Sequence, residues 1–183
     1  ANLRRAGVLP AGNRTDVDSG LFESETGEIR TDVRNRTLTV DAPKFQAAVV
    51  KKGDPVMLSA LSVRSASIPC TIAAISLDNE KPVIDSGRLL VVIGTMFTAE
   101  NAVFSTENFD AELDVGDMQQ LMRAGRFDFL LKTSRKSTPK VYALNLNGSR
   151  ERELPAALRN GALHFSWDTS TLEYGTPYFE VVY

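Results

Sequence analysis

The sequence predicts an all-β protein: an antiparallel, jelly-roll-like β-sandwich of about ten strands with at most one short helix. Two observations support this class. Turn-forming Gly, Pro, Asn and Asp residues recur about every ten residues, which is the spacing typical of sandwiches and barrels. The longest apolar runs, 72–77 and 88–97, flank a polar loop and are each short enough to be a strand.

The second of these runs is apolar on both of its faces. Leu89, Val91 and Ile93 would point to one side, while Leu90 and Val92 would point to the other. A strand with one face in water should alternate between apolar and polar residues. We therefore expect a central strand that is covered on both faces, either by its own domain or by a neighbouring one.

Length, composition and charge limit the class of protein. The 183 residues are 43% apolar and 24% charged, which fits one globular domain. We assign residues 1–20 to a linker or surface arm and residues 21–183 to the sandwich module. The formal net charge of −2 gives no overall field that attracts nucleic acid or an anionic membrane, so neither is expected as a partner.

Several local patterns give further expectations. Alternation predicts that Leu38 and Val40 face the core, with Thr37, Thr39 and Asp41 facing outward. The segment 114–125 is the one predicted helix, with Asp117 and Gly125 as its caps.

The metal-ligating residues are few. Cys70, the only cysteine, is expected in the core, and with His164 as the only histidine a zinc site is disfavoured. Asp16 and Asp18 have the spacing of calcium-loop carboxylates, and calcium is the one ion that they would bind. The alternative is a plain surface turn, because the other EF-hand ligands are missing. No other cofactor is expected.

Three blocks of sequence resemble a β-sandwich accessory module found at the C-terminus of large multidomain bacterial glycoside hydrolases. The first contains Ser24–Ile29, Asp32, Thr39–Pro43 and Gln46–Val49, the second Ser76–Asp78, Lys81–Pro82, Ser86, Arg88–Leu90 and Asn101, and the third Tyr142–Gly148 and Thr176–Glu180. The chain departs from the pattern at Thr31, where an aromatic residue is frequent, and residues 102–125 look inserted. The resemblance implies a non-catalytic, carbohydrate-binding role in a secreted or cell-surface protein, next to a catalytic domain of the same polypeptide.

Exposed aromatic side chains are the usual means by which β-sandwich modules bind sugar rings. Tyr174 and Tyr178 lie in or beside a loop signal and are candidates for a stacking platform. Trp167 is a third candidate, but it shares a strand face with Leu163 and Phe165, which predicts a core position instead.

Two basic residues could add contacts to an anionic glycan. Arg30 and Arg34 have the same strand parity, and guanidinium groups bind sulfate and carboxylate groups well. The alternative is a solvated or edge-protecting face.

The sequence thus favours a non-catalytic carbohydrate-binding module that holds an enzyme near its polysaccharide. The first alternative is a purely structural sandwich that packs its doubly apolar sheet against a catalytic domain. The second is a glycoside hydrolase or lyase, which would need a pair of carboxylates in contrasting environments, and no local pattern indicates such a pair.

Overall fold

The structure, a computed structural model, describes residues 2–106, 110–172 and 175–183. It contains a four-residue helix, α1 (Asn2–Arg5), and 3₁₀ turns at Val83–Asp85 and Thr169–Thr171. The strands, in chain order, are β1 (Leu21–Glu23), β2 (Ile29–Asp32), β3 (Thr37–Asp41), β4 (Phe45–Val50), β5 (Val56–Met57), β6 (Leu61–Ala66), β7 (Cys70–Ser76), β8 (Arg88–Gly94), β9 (Phe97–Ala99), β10 (Val103–Phe104), β11 (Glu112–Asp114), β12 (Gln120–Met122), β13 (Arg126–Lys132), β14 (Lys140–Leu144), β15 (Arg150–Leu154), β16 (Ala157–Arg159), β17 (Ala162–Asp168) and β18 (Tyr178–Val182).

These strands form an antiparallel β-sandwich, which confirms the predicted fold class. The large sheet has nine strands in the order β1-β2-β3-β4-β7-β8-β18-β14-β15. The small sheet has five strands in the order β16-β17-β13-β6-β5. Because the sheets differ in width, the small sheet covers only part of the large one.

The core lies between the two sheets, where the inward residues of β8 meet those of β13 and β17. Leu89, Val91 and Ile93 are buried in it. Strand β8 has hydrogen-bonded neighbours on both sides, so its predicted central position is confirmed. On its other face, Leu90 and Val92 are only half-buried and do not belong to the core, so the domain itself does not cover this face fully and a cover by a neighbouring domain stays a prediction. Cys70 is buried in the core as predicted, and burial raises the pKa of its thiol to about 11.

A polar clamp, made by Asp41, Gln46 and Ser59, ties the large sheet to the start of β6. The Gln46 side chain accepts hydrogen bonds from the backbone N–H groups of Ala60, at 3.0 Å, and Leu61, at 2.7 Å. Its amide nitrogen donates to the hydroxyl of Ser59, which in turn donates to Asp41 at 2.6 Å. Gln46 is 2% exposed, so these bonds satisfy polar groups that water does not reach.

The predicted facing of β3 is wrong. Asp41 pairs with Gln46 in the register of β3 and β4, and both side chains point towards the small sheet. Leu38 and Val40 therefore lie on the opposite, outer face, and Leu38 is exposed. The polar clamp fixes this parity, because a carboxylate bonded to Ser59 must face the small sheet.

The predicted helix over 114–125 is also wrong. This segment begins at the last residue of β11, which pairs with β10, and contains β12, which pairs with β9, so the chain makes a nested hairpin outside the two main sheets. Gly116 turns with φ of +70°, and a Cβ atom there would lie 2.3 Å from the carbonyl oxygen of Glu100. Strand pairing replaces a helix that would have been only two turns long.

The segment assigned to a linker or arm lies along the edge strand β1. The side chain of Asn13 donates to the carbonyl oxygen of Ser24 at 2.9 Å, and the Thr15 hydroxyl accepts from the Glu23 N–H at 3.0 Å.

No helix in the described ranges is long and apolar enough to cross a bilayer.

The polar clamp gives a testable consequence for stability. Gln46→Leu leaves the N–H groups of Ala60 and Leu61 without an acceptor, so we expect the free energy of unfolding to fall by roughly 2–4 kcal/mol in urea titrations. Gln120→Leu, on the exposed side of β12, is the control and should change it by less than about 0.5 kcal/mol. Equal urea midpoints for the two variants would show that the polar clamp does not contribute to the stability of the fold.

Candidate functional site

The outer face of the large sheet, the side turned away from the small sheet, is apolar over six neighbouring strands. One row crosses these strands in direct register from β2 to β18. It consists of Ile29, Val40, Ala47, Ala73, Val92 and Tyr178. A parallel row brings Phe45, Ile75 and Leu90 side by side.

Six large side chains on this outer face remain exposed to solvent. Their exposed fractions lie between 36% and 46%. They are Phe22, Ile29, Leu38, Phe45, Val49 and Tyr178. Single exposed apolar residues are ordinary, whereas a continuous group of this kind marks an interaction surface.

Glu180 ends the second row and lies under two arginines. Its carboxylate accepts hydrogen bonds from Arg88 Nε at 2.6 Å and from Arg150 Nε at 2.7 Å. The guanidinium of Arg150 also lies 4.2 Å from the ring centroid of Tyr142. Burial of the Glu180 carboxyl group disfavours its charge, but the hydrogen bonds from Arg150 and Arg88 outweigh that effect and lower its pKa.

The large sheet carries a second surface on its inner side, where β1, β2 and β3 extend past the edge of the small sheet. We call this the overhang groove. It is a cavity of about 470 Å³. It is lined by Arg14, Leu21, Gly27, Glu28, Arg30, Asp32, Thr37, Thr39, Asp41 and residues 55–58.

Polar side chains form the floor of the overhang groove in two adjacent rows. Arg30 lies beside Thr39, and Asp32 lies beside Thr37, in the register of β2 and β3. The Arg30 guanidinium donates to Glu23 at 3.0 Å. Hydrogen bonds from the backbone and side chain of Asn35 lower the pKa of Asp32. The floor therefore presents a fixed cation beside a fixed anion.

Of the three predicted aromatic residues, Trp167 is part of the core. It is 6% exposed, its ring contacts those of Phe129, Phe165 and Phe179, and its Nε1–H donates to the carbonyl oxygen of Pro155 at 3.2 Å. No free ring face remains for a sugar, which agrees with the core position that strand alternation predicted.

The two tyrosines are placed differently. Tyr178 lies on the outer face, on the opposite side of β18 from Phe179, so it does not meet Trp167. Tyr174 lies outside the described residues. A stacking platform made by the three aromatic residues together therefore stays a prediction.

The two predicted arginines lie in different local environments, and their contact with an anionic glycan stays a prediction. Arg30 faces the overhang groove, while Arg34 lies in the turn after β2 and donates to the backbone carbonyl of Asp18. Asp16 and Asp18 lie in the turn before β1, where the Asp16 carboxylate accepts the Asp18 N–H at 3.2 Å. The described residues include no group of three or more acidic, histidine or cysteine side chains that could hold a metal, so calcium at this turn stays a prediction.

The carboxyl groups bear on the second alternative, a glycoside hydrolase or lyase, which stays untested. A glycosidase needs one carboxyl group with a raised pKa and another that stays ionised. In the described part of the chain, every carboxyl group with a shifted pKa is shifted downward. These groups are Asp16, Glu23, Asp32, Asp78, Asp168 and Glu180.

No protein-family model matches the chain, and searches of curated proteins and of solved structures find no match either. The resemblance to accessory modules of glycoside hydrolases therefore stays a prediction. The two surfaces of the large sheet are the features from which function has to be argued.

Sequence reasoning missed most members of both surfaces. Phe22, Phe45 and Glu180 were not predicted as site residues. The sequence does show that Ile29, Leu38 and Val40 are apolar residues at alternating strand positions. It does not show whether these positions face the core or the outer side of the sheet.

Glu180 gives a prediction with a defined pH dependence. Its folded pKa lies below the ordinary value of 4.5, so its stabilising effect is complete above pH 4.5 and is lost as the pH falls through the lowered pKa. Glu180→Gln should lower the free energy of unfolding by about 1–2 kcal/mol at pH 7, because both arginine partners are half-exposed. The difference in the free energy of unfolding between the wild type and Glu180→Gln should become smaller as the pH is lowered.

The measurement is urea unfolding at several pH values between 3 and 7, with Glu153→Gln on β15, two strands away in the same sheet, as the exposed control. A deficit for Glu180→Gln that is the same at every pH would contradict the assignment of its stabilising effect to the ionised carboxylate.

Proposed function

We propose that the chain is a non-catalytic accessory module of a secreted or cell-surface bacterial polysaccharide-degrading enzyme, and that it docks onto the catalytic domain of the same polypeptide through the outer face. The observation that carries this proposal is the pair of apolar rows across the outer face. Their exposed side chains lie in register, and nothing in the described chain covers them.

The size of the outer face suits an interface between domains. Strands about 4.8 Å apart and same-face residues about 6.8 Å apart give an apolar area on the order of several hundred Å². Burying it would contribute about 25 cal/mol per Å² before the costs of association. Domains of one chain bear a smaller entropic cost than free partners, because they are already linked.

The relief of the outer face also suits an apolar partner surface. Ala47 and Ala73 are neighbours at the centre of the first row, and the larger Val40 and Val92 flank them. The two alanines are themselves buried, so the larger residues around them supply the accessible apolar surface. The Arg88, Glu180 and Arg150 cluster borders this surface with charge, as polar rims border interfaces.

Covalent side-chain labelling with a carbene reagent tests the docking directly. In the isolated chain, Leu38, Phe45 and Tyr178 should be labelled, and in the parent polypeptide their labelling should fall several-fold as the interface excludes the reagent. Met118 and Leu146, which are exposed away from the outer face, serve as controls and should be labelled equally in both.

The double variant Leu38→Ser, Phe45→Ser adds a second arm, with Met118→Ser, Leu146→Ser as its matched control. As isolated chains, the control should unfold within about 1 kcal/mol of the wild type, whereas the outer-face variant should lose about 2–3 kcal/mol but stay folded, because Leu38 and Phe45 are each more than half buried. Only the outer-face variant should restore labelling of Tyr178 in the parent polypeptide. Equal labelling of the outer face in both wild-type contexts would sink the proposal, as would a dimer of the isolated chain that only the outer-face variant dissociates.

Carbohydrate binding is the second candidate function, and the overhang groove favours it. Hydroxyl, carboxylate and guanidinium groups line a cavity whose volume lies within the range of small-ligand sites. The test is affinity electrophoresis of the isolated chain against neutral, sulfated and uronate-rich polysaccharides. Retardation by at least one polymer is expected, and no retardation by any of them would end this candidate while leaving the docking proposal standing.

A further inference from the structure

We infer that the overhang groove binds a neutral carbohydrate chain by hydrogen bonds from its polar floor, without aromatic stacking. The inference rests on the second candidate function above and assigns it a site and a ligand class. The residues that carry it are Arg30, Asp32, Thr37 and Thr39, on the inner side of β2 and β3.

The floor of the groove has hydrogen-bonding groups that the protein does not use. Within the described residues, the hydroxyls of Thr37 and Thr39 make no hydrogen bond to protein. The Nε atom of Arg30 is buried and has no partner there either. Because the Nε atom is shielded from solvent, the groups of the floor that a ligand can reach are the threonine hydroxyls and the exposed part of the Arg30 guanidinium.

The charged groups of the floor are held in place before any ligand arrives. Glu23 fixes the Arg30 guanidinium through its terminal nitrogen, and the side chain stays 39% exposed. Asn35 fixes the Asp32 carboxylate with bonds of 2.9 Å from its backbone and 2.7 Å from its side chain. Preorganised donors and acceptors lower the entropic cost of binding.

The balance of charge selects a neutral ligand. Two arginines and three carboxylates line the groove, and Glu23 already neutralises Arg30. A sulfated or uronate-rich polymer would meet more negative than positive charge. A hydroxyl group suits this floor better, because it accepts from a guanidinium or a threonine and donates to a carboxylate.

The wall opposite the polar floor is apolar. It is formed by residues 55–58, of which Val56 and Leu58 pack against the core, while the Met57 side chain points away from the large sheet. Sugar rings carry C–H groups on their faces and hydroxyls at their edges. An apolar wall above a floor of donors and acceptors therefore matches both parts of a ring.

Removal of the free hydroxyls tests the site. Thr37→Val, Thr39→Val keeps the side-chain shape and the strand preference but removes two hydrogen bonds, so we expect the Kd for a neutral polysaccharide to rise at least tenfold. Thr31→Val is the matched control, because Thr31 is on β2 but faces the outer side. It should change the Kd by less than twofold.

The probes are soluble galactomannan, xylan and mixed-linkage glucan as neutral polymers, with polygalacturonate as the anionic one. Binding to a neutral polymer should change by less than twofold between 50 and 500 mM salt, because screening acts on charges. Urea unfolding of each variant verifies that it is folded.

The outcomes separate the inference from the function on which it rests. Neutral binding that falls with Thr37→Val, Thr39→Val but not with Thr31→Val supports the groove. Neutral binding that both variants retain overturns the groove as the site but keeps carbohydrate binding. Salt-sensitive preference for polygalacturonate overturns the ligand class, and no binding to any probe overturns both the inference and the second candidate function.

Discussion

The arrangement of the molecule depends on the mismatch between a nine-stranded and a five-stranded sheet, and on the Gln46 amide that closes the core where the narrower sheet ends. If an apolar side chain stood in place of Gln46 at that border, the N–H groups of Ala60 and Leu61 would be buried without acceptors. Gln46 supplies the acceptor, and Asp41 holds Ser59 beside it. Everything beyond this polar clamp is sheet without a partner layer.

The unpartnered part of the large sheet has two unlike faces because β2 and β3 alternate. One side carries Arg30, Asp32 and the threonines of the overhang groove, and the other carries Ile29, Leu38 and Val40. Because successive side chains of a strand point to opposite sides, a one-residue shift in register would exchange the two faces. The same short strands thus supply an apolar surface for docking and a polar surface for a ligand, on opposite sides of a single layer.

Much of the fold follows from sequence patterns whose meaning does not depend on distant residues. The doubly apolar run around Val91 predicts a central strand correctly, and sharing a face with Phe165 predicts the core position of Trp167. Alternation alone cannot say which parity faces inward. For β3 the answer depends on Asp41 meeting Ser59, residues far apart in sequence. The nested hairpin was not predicted for a similar reason, since the paired strands β9 and β12 are separated by about twenty residues of intervening chain. The residues of the candidate site were harder to predict. Phe45 belongs to the outer face and Arg30 to the overhang groove only because of how neighbouring strands pair, and the sequence alone does not give that pairing.

The position of β18 has a consequence for how the protein is made. This strand, the last in the chain, lies between β8 and β14 near the middle of the large sheet, and it supplies Phe179 and Val181 to the core. During synthesis on the ribosome, β8 and β14 emerge first with a gap between them that only β18 can fill. The nascent chain therefore exposes two unpaired strand edges until β18 has emerged as well, which makes this a fold of high contact order whose incomplete form needs protection from aggregation.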